Sequence, residues 1–123
     1  MQETEIRDAS SVIIVREDGP VPKVLMGQRG KAAAFMPNKF VFPGGALDPG
    51  DSEIDFNGDI PTKCIEKLRL KADPSLAEPL IAAGIRELWE ETGLILGSKS
   101  KTKMDSIPKN WKDFFALGYQ PSA

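Results

Sequence analysis

The sequence predicts an α+β fold, in which short strands in the first part of the chain precede a long helix. Residues 10–16 form a β-branched run bounded by polar residues, which is typical of a buried strand. Residues 23–28 predict a second strand, and the turn-forming residues 17–20 between the two indicate a hairpin. Residues 39–42 predict a third, short strand that ends at Pro43. Strands followed by helices are typical of the α+β class.

The helical part follows a segment, residues 48–73, that is rich in turn-forming residues and contains one short predicted helix. Three residues of this segment fall on one helical face: Cys64, Ile65 and Leu68. Ser75 and Glu78 have the spacing of a capping box, so a second helix is expected to begin here. This helix runs to Thr92, because Gly93 is a typical C-terminal stop.

The long helix carries an acidic face beside an apolar one. At 100° per residue, Glu87, Glu90 and Glu91 fall within an arc of about 100°, and we call these three residues the carboxylate face. The apolar stripe lies next to this arc rather than opposite it, as expected of a face that lines a cleft. The stripe consists of Ile81, Gly84, Ile85 and Leu88.

Carboxylates at this spacing repel one another, by roughly 3 kcal/mol per pair at about 5–6 Å and an effective dielectric constant of about 20. A divalent cation among them would offset the repulsion, because Mg²⁺ and Mn²⁺ take carboxylate oxygens as ligands. The carboxylate face therefore indicates a metal site. On spacing alone, a solvated acidic helix face is an equally good interpretation.

Composition excludes several other kinds of site. The 123 residues leave room for one domain, and no histidine is present, which rules out histidine–zinc sites and Ser-His-Asp triads. A net charge of −2 gives no basic footprint for nucleic acid, and the longest apolar run is too short to span a bilayer. Cys64 has no cysteine partner, so a reducing cytoplasm is the expected location.

Residues 86–94 have the form R-E-U-x-E-E-x-G-U, where U is an aliphatic residue. Ordinary residue frequencies would produce this string roughly once in 10⁵ chains of this length. It resembles the second half of the signature of the Nudix hydrolases. The first half resembles residues 42–51, a Gly-Gly turn in which Gly45 is the motif glycine and Asp51 replaces the motif glutamate. The family has seven residues before the motif arginine, so we interpret residues 52–78 as an insertion within the signature.

Three further strings resemble the coenzyme A diphosphatase branch of that family: Met26–Arg29, Ala34–Pro37 and Val41–Gly45. The family resemblance implies an α/β/α sandwich with a mixed sheet, formed by a single domain over residues 1–123. Family members have further strands after the motif helix, whereas no strand is predicted here after Gly97. We therefore expect the sandwich to be incomplete at its C-terminus, as the N-terminal part of a longer domain, with homodimerisation or domain swapping as the consequence.

The resemblance also implies an activity: hydrolysis of the pyrophosphate bond in a nucleoside diphosphate linked to another group, either a nucleotide or a coenzyme A derivative. Mg²⁺ or Mn²⁺ would be the cofactor. Glu90 and Glu91 are implied as metal ligands, and the Gly45 carbonyl as a further one. Glu87 is implied either as a ligand or as the group that accepts a proton from water. The alternative is a non-catalytic Nudix-like module that binds a nucleotide or a protein.

The remaining implied roles concern catalysis and substrate binding. Catalysis would involve Glu87, Glu91 and Arg86. Arg86 would either orient a carboxylate through a bidentate contact or form an ordinary i, i+4 pair. Arg29, Gly44 and Gly45 would contact the diphosphate, although a solvated strand-end arginine is an equally good interpretation of Arg29. Asp51 would connect the Gly-Gly turn to the helix. The final aromatic helix, residues 111–117, is interpreted as core rather than as a base-stacking surface.

Overall fold

The computed structural model describes residues 7–28, 40–58, 60–70, 73–100 and 106–122, and in this part the α+β prediction is confirmed. The strands are β1 (Ala9–Ser11), β2 (Val15–Arg16), β3 (Lys23–Val24), β4 (Gly27–Gln28), β5 (Phe40–Val41), β6 (Gly44–Ala46), β7 (Gly97–Lys99) and β8 (Tyr119–Pro121). The α-helices are α1 (Thr62–Arg69), α2 (Ala77–Thr92) and α3 (Lys112–Ala116), with 3₁₀ helices at Pro49–Glu53, Pro74–Leu76 and Lys109–Trp111. The described strands form antiparallel pairs: β1–β6, β2–β3, β4–β5 and β7–β8.

Gly44 and Gly45 lie in strand β6. The prediction of a Gly-Gly turn at these residues was therefore wrong. Ser10 of β1 pairs with Gly45, and the amide of Val12 donates to the carbonyl of Pro43 at 2.8 Å. Glycine by itself weakens a strand. Here the pairing with β1 provides hydrogen-bond partners for the β6 main chain and outweighs that preference.

The predicted hairpin is confirmed, because Val15 of β2 pairs with Val24 of β3. The prediction of a buried strand over residues 10–16 was wrong: Ile13 is 60% exposed and Val15 48% exposed. The segment does not form one continuous strand, because its pairing partner changes from β6 to β3 between Ser11 and Val15.

Helix α2 has the predicted C-terminal end, but its start differs from the prediction. Gly93 has a left-handed φ of 78°, and its amide donates to the carbonyl of Trp89. At the other end, α2 begins at Ala77 without a side-chain cap. Asp73 instead caps the preceding 3₁₀ helix Pro74–Leu76, since its carboxylate accepts from the Ser75 amide at 2.9 Å. The capping box was wrong because Pro74 fits the first position of a helical turn, which makes the residue before it the cap.

The core lies between α2 and the C-terminal aromatic residues. Ile85 of α2 packs with Ile54, Trp111 and Phe114, and the Trp111 and Phe114 rings meet edge to face at 5.1 Å. The interpretation of the final aromatics as core is therefore confirmed, although Leu117 is largely exposed. In α1, the predicted short helix, Ile65 and Leu68 are half-buried, whereas Cys64 is exposed.

Strands β7 and β8 contradict the prediction that no strand follows Gly97. Lys99 pairs with Tyr119, and Ser98 with Gln120. These strands are short and polar and lack the apolar alternation by which strands are identified. They form because α3 brings the two segments back together. Within the described residues, no helix is long and apolar enough to cross a membrane.

Candidate functional site

Helix α2 and strand β6 place the carboxylate face directly against the two adjacent glycines. A Cβ atom at Gly45 would lie 2.5 Å from Cδ of Glu87, so a side chain at this position would overlap the carboxylate. The Gly44 amide donates to Oε2 of Glu91 at 3.3 Å. The structure thus brings together the predicted glycines and glutamates, and a side chain at residue 45 would force the Glu87 carboxylate to move.

Arg86 lies buried beneath this face and contacts both halves of the predicted motif. Its Nη1 donates to Glu87 Oε1 at 3.0 Å and to Glu90 Oε2 at 3.2 Å. Its Nε and Nη2 donate to the two oxygens of Asp51 at 3.0 and 3.2 Å, and Nη2 also donates to the Ala46 carbonyl at 3.1 Å. Arg86 therefore makes both the bidentate contact, with Asp51, and the i, i+4 pair, with Glu90.

Asp51 is the buried anchor of Arg86, and its side chain has no exposed surface. Besides Arg86, its carboxylate accepts from the Asp48 amide at 2.8 Å and from Nε1 of Trp111 at 2.8 Å. Sequence reasoning missed Trp111 as part of the site. No local signal could have shown it, because 60 residues of chain separate Trp111 from Asp51.

One guanidinium faces four carboxylates in this part of the molecule. Arg86 forms ion pairs with Asp51, Glu87, Glu90 and, at 3.4 Å, Asp48. Glu91 adds a further negative charge on the same face of α2. Arg7 also pairs with Asp48, at 3.7 Å. Two positive charges do not neutralise these five carboxylates, so the site has an excess of negative charge beside the β6 glycines.

The pKa values of two residues follow from this arrangement. Burial acts to lower the pKa of Arg86. The hydrogen bond and the charge of Asp51 act in the opposite direction and outweigh burial, and the charges of Glu87 and Glu90 add to their effect. The pKa of Arg86 is therefore raised, and its guanidinium stays charged. Burial raises the pKa of Glu87, and the charges of Glu90 and Glu91 add to this effect, whereas Arg86 opposes it.

Comparison with known proteins gives one similar sequence and one similar structure, while no family model matches the chain. A Caenorhabditis elegans protein named "Putative nudix hydrolase 7" is 34% identical over 89 residues, which are 72% of this chain. A crystal structure of a NUDIX hydrolase from Alicyclobacillus acidocaldarius superposes with a TM-score of 0.64 over 98% of this chain, at 25% identity.

The fold is similar to that of a Nudix hydrolase. The two similarities also support the predicted Nudix hydrolase superfamily, whereas the coenzyme A diphosphatase branch stays a prediction. The chain spans 22% of the length of the curated relative and 59% of the crystallised chain.

The Nudix signature raises the question of whether these residues fit a divalent cation. Their chemistry fits, because carboxylate oxygens are hard ligands of the kind that Mg²⁺ and Mn²⁺ take. In the described part of the chain, however, no three acidic or cysteine side chains are arranged so that they could hold a metal ion. Glu87 and Glu90 are turned towards Arg86, and Glu91 towards Gly44. Binding of a cation would require these carboxylates to turn towards a shared centre.

A cavity of about 500 Å³ opens beside the β6 glycines and Glu91. Its lining includes three partly exposed apolar side chains: Met26, Phe40 and Phe42. Of the carboxylate face, Glu91 lines this cavity, whereas Glu87 and Glu90 do not. Arg29, the predicted phosphate contact, and residues 34–37, one of the three strings that resemble the coenzyme A diphosphatase branch, lie outside the described residues.

Proposed function

We propose that this chain carries the catalytic face of a divalent-metal-dependent hydrolase. Its reaction is cleavage of a pyrophosphate bond in a nucleoside diphosphate linked to another group, with a nucleotide or a coenzyme A derivative as substrate. The observation that carries the proposal is the excess of carboxylates around Arg86, held directly against the β6 glycines. The similarity to Nudix hydrolases in sequence and in fold supports the same reaction class.

In this proposal Glu87, Glu90 and Glu91 hold Mg²⁺ or Mn²⁺, with the Gly45 carbonyl as a further ligand. When bound, the ion would neutralise charge on the phosphate oxygens and lower the pKa of a water molecule. The buried Arg86 limits the freedom of Glu87 and Glu90, so it orients the carboxylates.

Glu87 has a second role open to it, because burial raises its pKa towards the range in which a carboxylate accepts a proton more readily. It is therefore either a metal ligand or the group that accepts the proton of the attacking water. Gly44 and Gly45 allow the diphosphate to approach the main chain, and Arg29 contacts its phosphates. The cavity beside Glu91 would receive one of the groups linked to the diphosphate.

One observation favours a second candidate, a module that binds a nucleotide or a protein without cleaving it. Glu87 and Glu90 already bind Arg86, and the described acidic side chains are not arranged to hold a metal ion. If these carboxylates do not leave Arg86, the site keeps its charge and its cavity but holds no catalytic ion.

Turnover of a small substrate panel separates the two candidates. The 123-residue chain would be assayed for phosphate-coupled hydrolysis of ADP-ribose, coenzyme A, NADH and nucleoside triphosphates with Mg²⁺ or Mn²⁺. Glu90→Gln removes a proposed ligand, and Glu78→Gln is the matched control, because Glu78 is an exposed glutamate in the first turn of the same helix.

We expect metal-dependent turnover in the wild type and in Glu78→Gln, and a loss of roughly 100-fold in Glu90→Gln. Nucleotide binding without turnover in all three proteins would contradict the hydrolase proposal and support the binding module.

A further inference from the structure

The 3₁₀ helix Lys109–Trp111, which we call the C-terminal turn, reaches back to two acidic residues near Arg86. Nε1 of Trp111 donates to Oδ1 of Asp51 at 2.8 Å. Nδ2 of Asn110 donates to Oδ2 of Asp48 at 3.2 Å. Two successive residues therefore bind two different carboxylates, across 60 and 62 positions of the sequence.

Both carboxylates contact the same guanidinium. Asp51 binds Nε and Nη2 of Arg86, and Asp48 lies 3.4 Å from Nη2. The remaining nitrogen, Nη1, is the one that contacts Glu87 and Glu90. Because the guanidinium is planar and rigid, fixing Nε and Nη2 also fixes where Nη1 points.

We propose that Trp111 and Asn110 are positioning residues for the carboxylate face. Their side chains donate hydrogen bonds to Asp51 and Asp48. These two carboxylates fix the position of Arg86, and Arg86 sets the orientation of Glu87 and Glu90. The inference deepens the proposed function and rests on it for its effect on metal binding. Its first part, the control of Arg86 by the C-terminal turn, can be measured without any metal.

Close packing of the C-terminal turn supports this chain of contacts. A Cβ atom at Gly50 would lie 2.7 Å from Cβ of Pro108 and 2.8 Å from Oδ1 of Asn110. The turn thus sits against the 3₁₀ helix Pro49–Glu53, which contains Asp51. A Gly50→Ala substitution would push the turn away from that helix without removing any of the hydrogen-bonding groups.

A purely structural role for Trp111 is the competing explanation, since its ring is fully buried and packs against Phe114 and Phe115. Trp111→Phe keeps an aromatic ring in the core but removes the N–H group that Asp51 accepts from. Phe115→Leu is the matched control, because Phe115 packs on the same indole but makes no hydrogen bond to Asp51. The two variants separate loss of packing from loss of the donor.

The experiment has two readouts for the wild type and for four variants: Trp111→Phe, Asn110→Ala, Gly50→Ala and Phe115→Leu. The first is hydrogen exchange of the Arg86 Nε–H group, followed by ¹⁵N NMR in the absence of metal. The second is the Mn²⁺ concentration at half-saturation. Thermal denaturation of each protein shows how much general stability it has lost.

We expect faster exchange at Arg86 Nε in Trp111→Phe and a rise of roughly 10-fold in the Mn²⁺ half-saturation concentration. Asn110→Ala and Gly50→Ala should change both quantities in the same direction. Phe115→Leu should lose stability while both quantities stay at the wild-type value.

Equal shifts in Trp111→Phe and Phe115→Leu would overturn the inference, and so would wild-type exchange at Arg86 Nε in Trp111→Phe. If the wild type binds no Mn²⁺, the proposed function fails, and Arg86 exchange alone decides whether the C-terminal turn positions this residue.

Discussion

The surroundings of Arg86 and the β2–β3 hairpin differ in burial and in the sequence separation of the residues that contact each other. Arg86 is charged yet almost fully buried, and its partners Asp51 and Ala46 lie 35 and 40 residues away in the sequence. The hairpin contains three exposed valines, Val15, Val21 and Val24, and its pairing is local. In this molecule, long-range contacts converge on a polar cluster, while the apolar side chains of the hairpin lie at the surface.

The difference follows from the cost of leaving groups unpaired. A buried charge without partners is strongly unfavourable, so Arg86 and Asp51 hold several segments in place around them. An exposed valine loses only part of its hydrophobic stabilisation and imposes no such requirement. Substitutions should therefore have large effects around Arg86 and small ones in the hairpin.

Removal of the guanidinium should have the largest effect on stability. Arg86→Ala leaves the carboxylate of Asp51 buried without its countercharge, and we expect a loss of about 4 kcal/mol in the free energy of unfolding. Arg16→Ala in the hairpin breaks an exposed ion pair with Asp18 and should cost less than about 0.5 kcal/mol. Urea denaturation of both variants measures the difference, and similar losses would break the comparison.

Truncation of apolar side chains should give the next largest difference. Leu88 of α2 is fully buried, so Leu88→Ala should reduce the free energy of unfolding by about 3 kcal/mol. Val15→Ala in β2 should cost less than about 1 kcal/mol, because half of that side chain is already exposed. A Val15→Ala loss equal to that of Leu88→Ala would show that the hairpin is covered in solution, for example by the predicted homodimer.

Glycine-to-alanine substitutions compare the main-chain conformation of the two regions instead of their side-chain packing. Gly93 ends α2 with a φ of 78°, and a Cβ atom there would have open space, so Gly93→Ala should cost about 1 kcal/mol through backbone strain alone. Gly19 in the hairpin turn also has open space around it but no left-handed φ. Gly19→Ala should therefore leave the melting temperature unchanged or slightly raised. Equal effects in thermal denaturation would contradict the role of the φ angle.

The smallest expected effect concerns Glu87 and depends on pH. Burial raises the pKa of Glu87, so the folded protein binds the proton of this carboxyl more tightly than the unfolded chain does. Its contribution to stability is present below the unfolded pKa and is lost as the pH rises through the folded pKa. With EDTA present, the wild type should lose melting temperature relative to Glu87→Gln as the pH rises above the ordinary glutamate pKa of about 4.3. A constant or reversed difference between the two proteins would contradict this sign.

Much of the site could be predicted because its main residues share one helix. The spacing of Glu87, Glu90 and Glu91 places them on one face, and Gly93 ends the helix at the expected point. The position of Gly45 against Glu87 came from the family resemblance, since two segments so far apart in sequence show no local sign of contact.

The parts that could not be predicted depend on tertiary contacts. Strand β6 contains two glycines and forms through its pairing with β1. Strands β7 and β8 are polar, so their pattern did not distinguish them from loops. The hydrogen bond from Trp111 to Asp51 requires the C-terminal turn to fold back on Pro49–Glu53, and an aromatic residue at helical spacing more often predicts core. Trp111 is in fact both a core residue and a hydrogen-bond donor to the site.

The most direct test of the central claim is Mn²⁺ binding by the carboxylate face, measured by electron paramagnetic resonance for the wild type and two variants. The double variant Glu90→Gln, Glu91→Gln removes two proposed ligands, and Glu78→Gln removes an exposed glutamate from the first turn of the same helix. The predicted result is saturable binding in the wild type and in Glu78→Gln, and none in the double variant. Equal binding in all three proteins, or no saturable binding in the wild type, would contradict the claim that this face holds the metal.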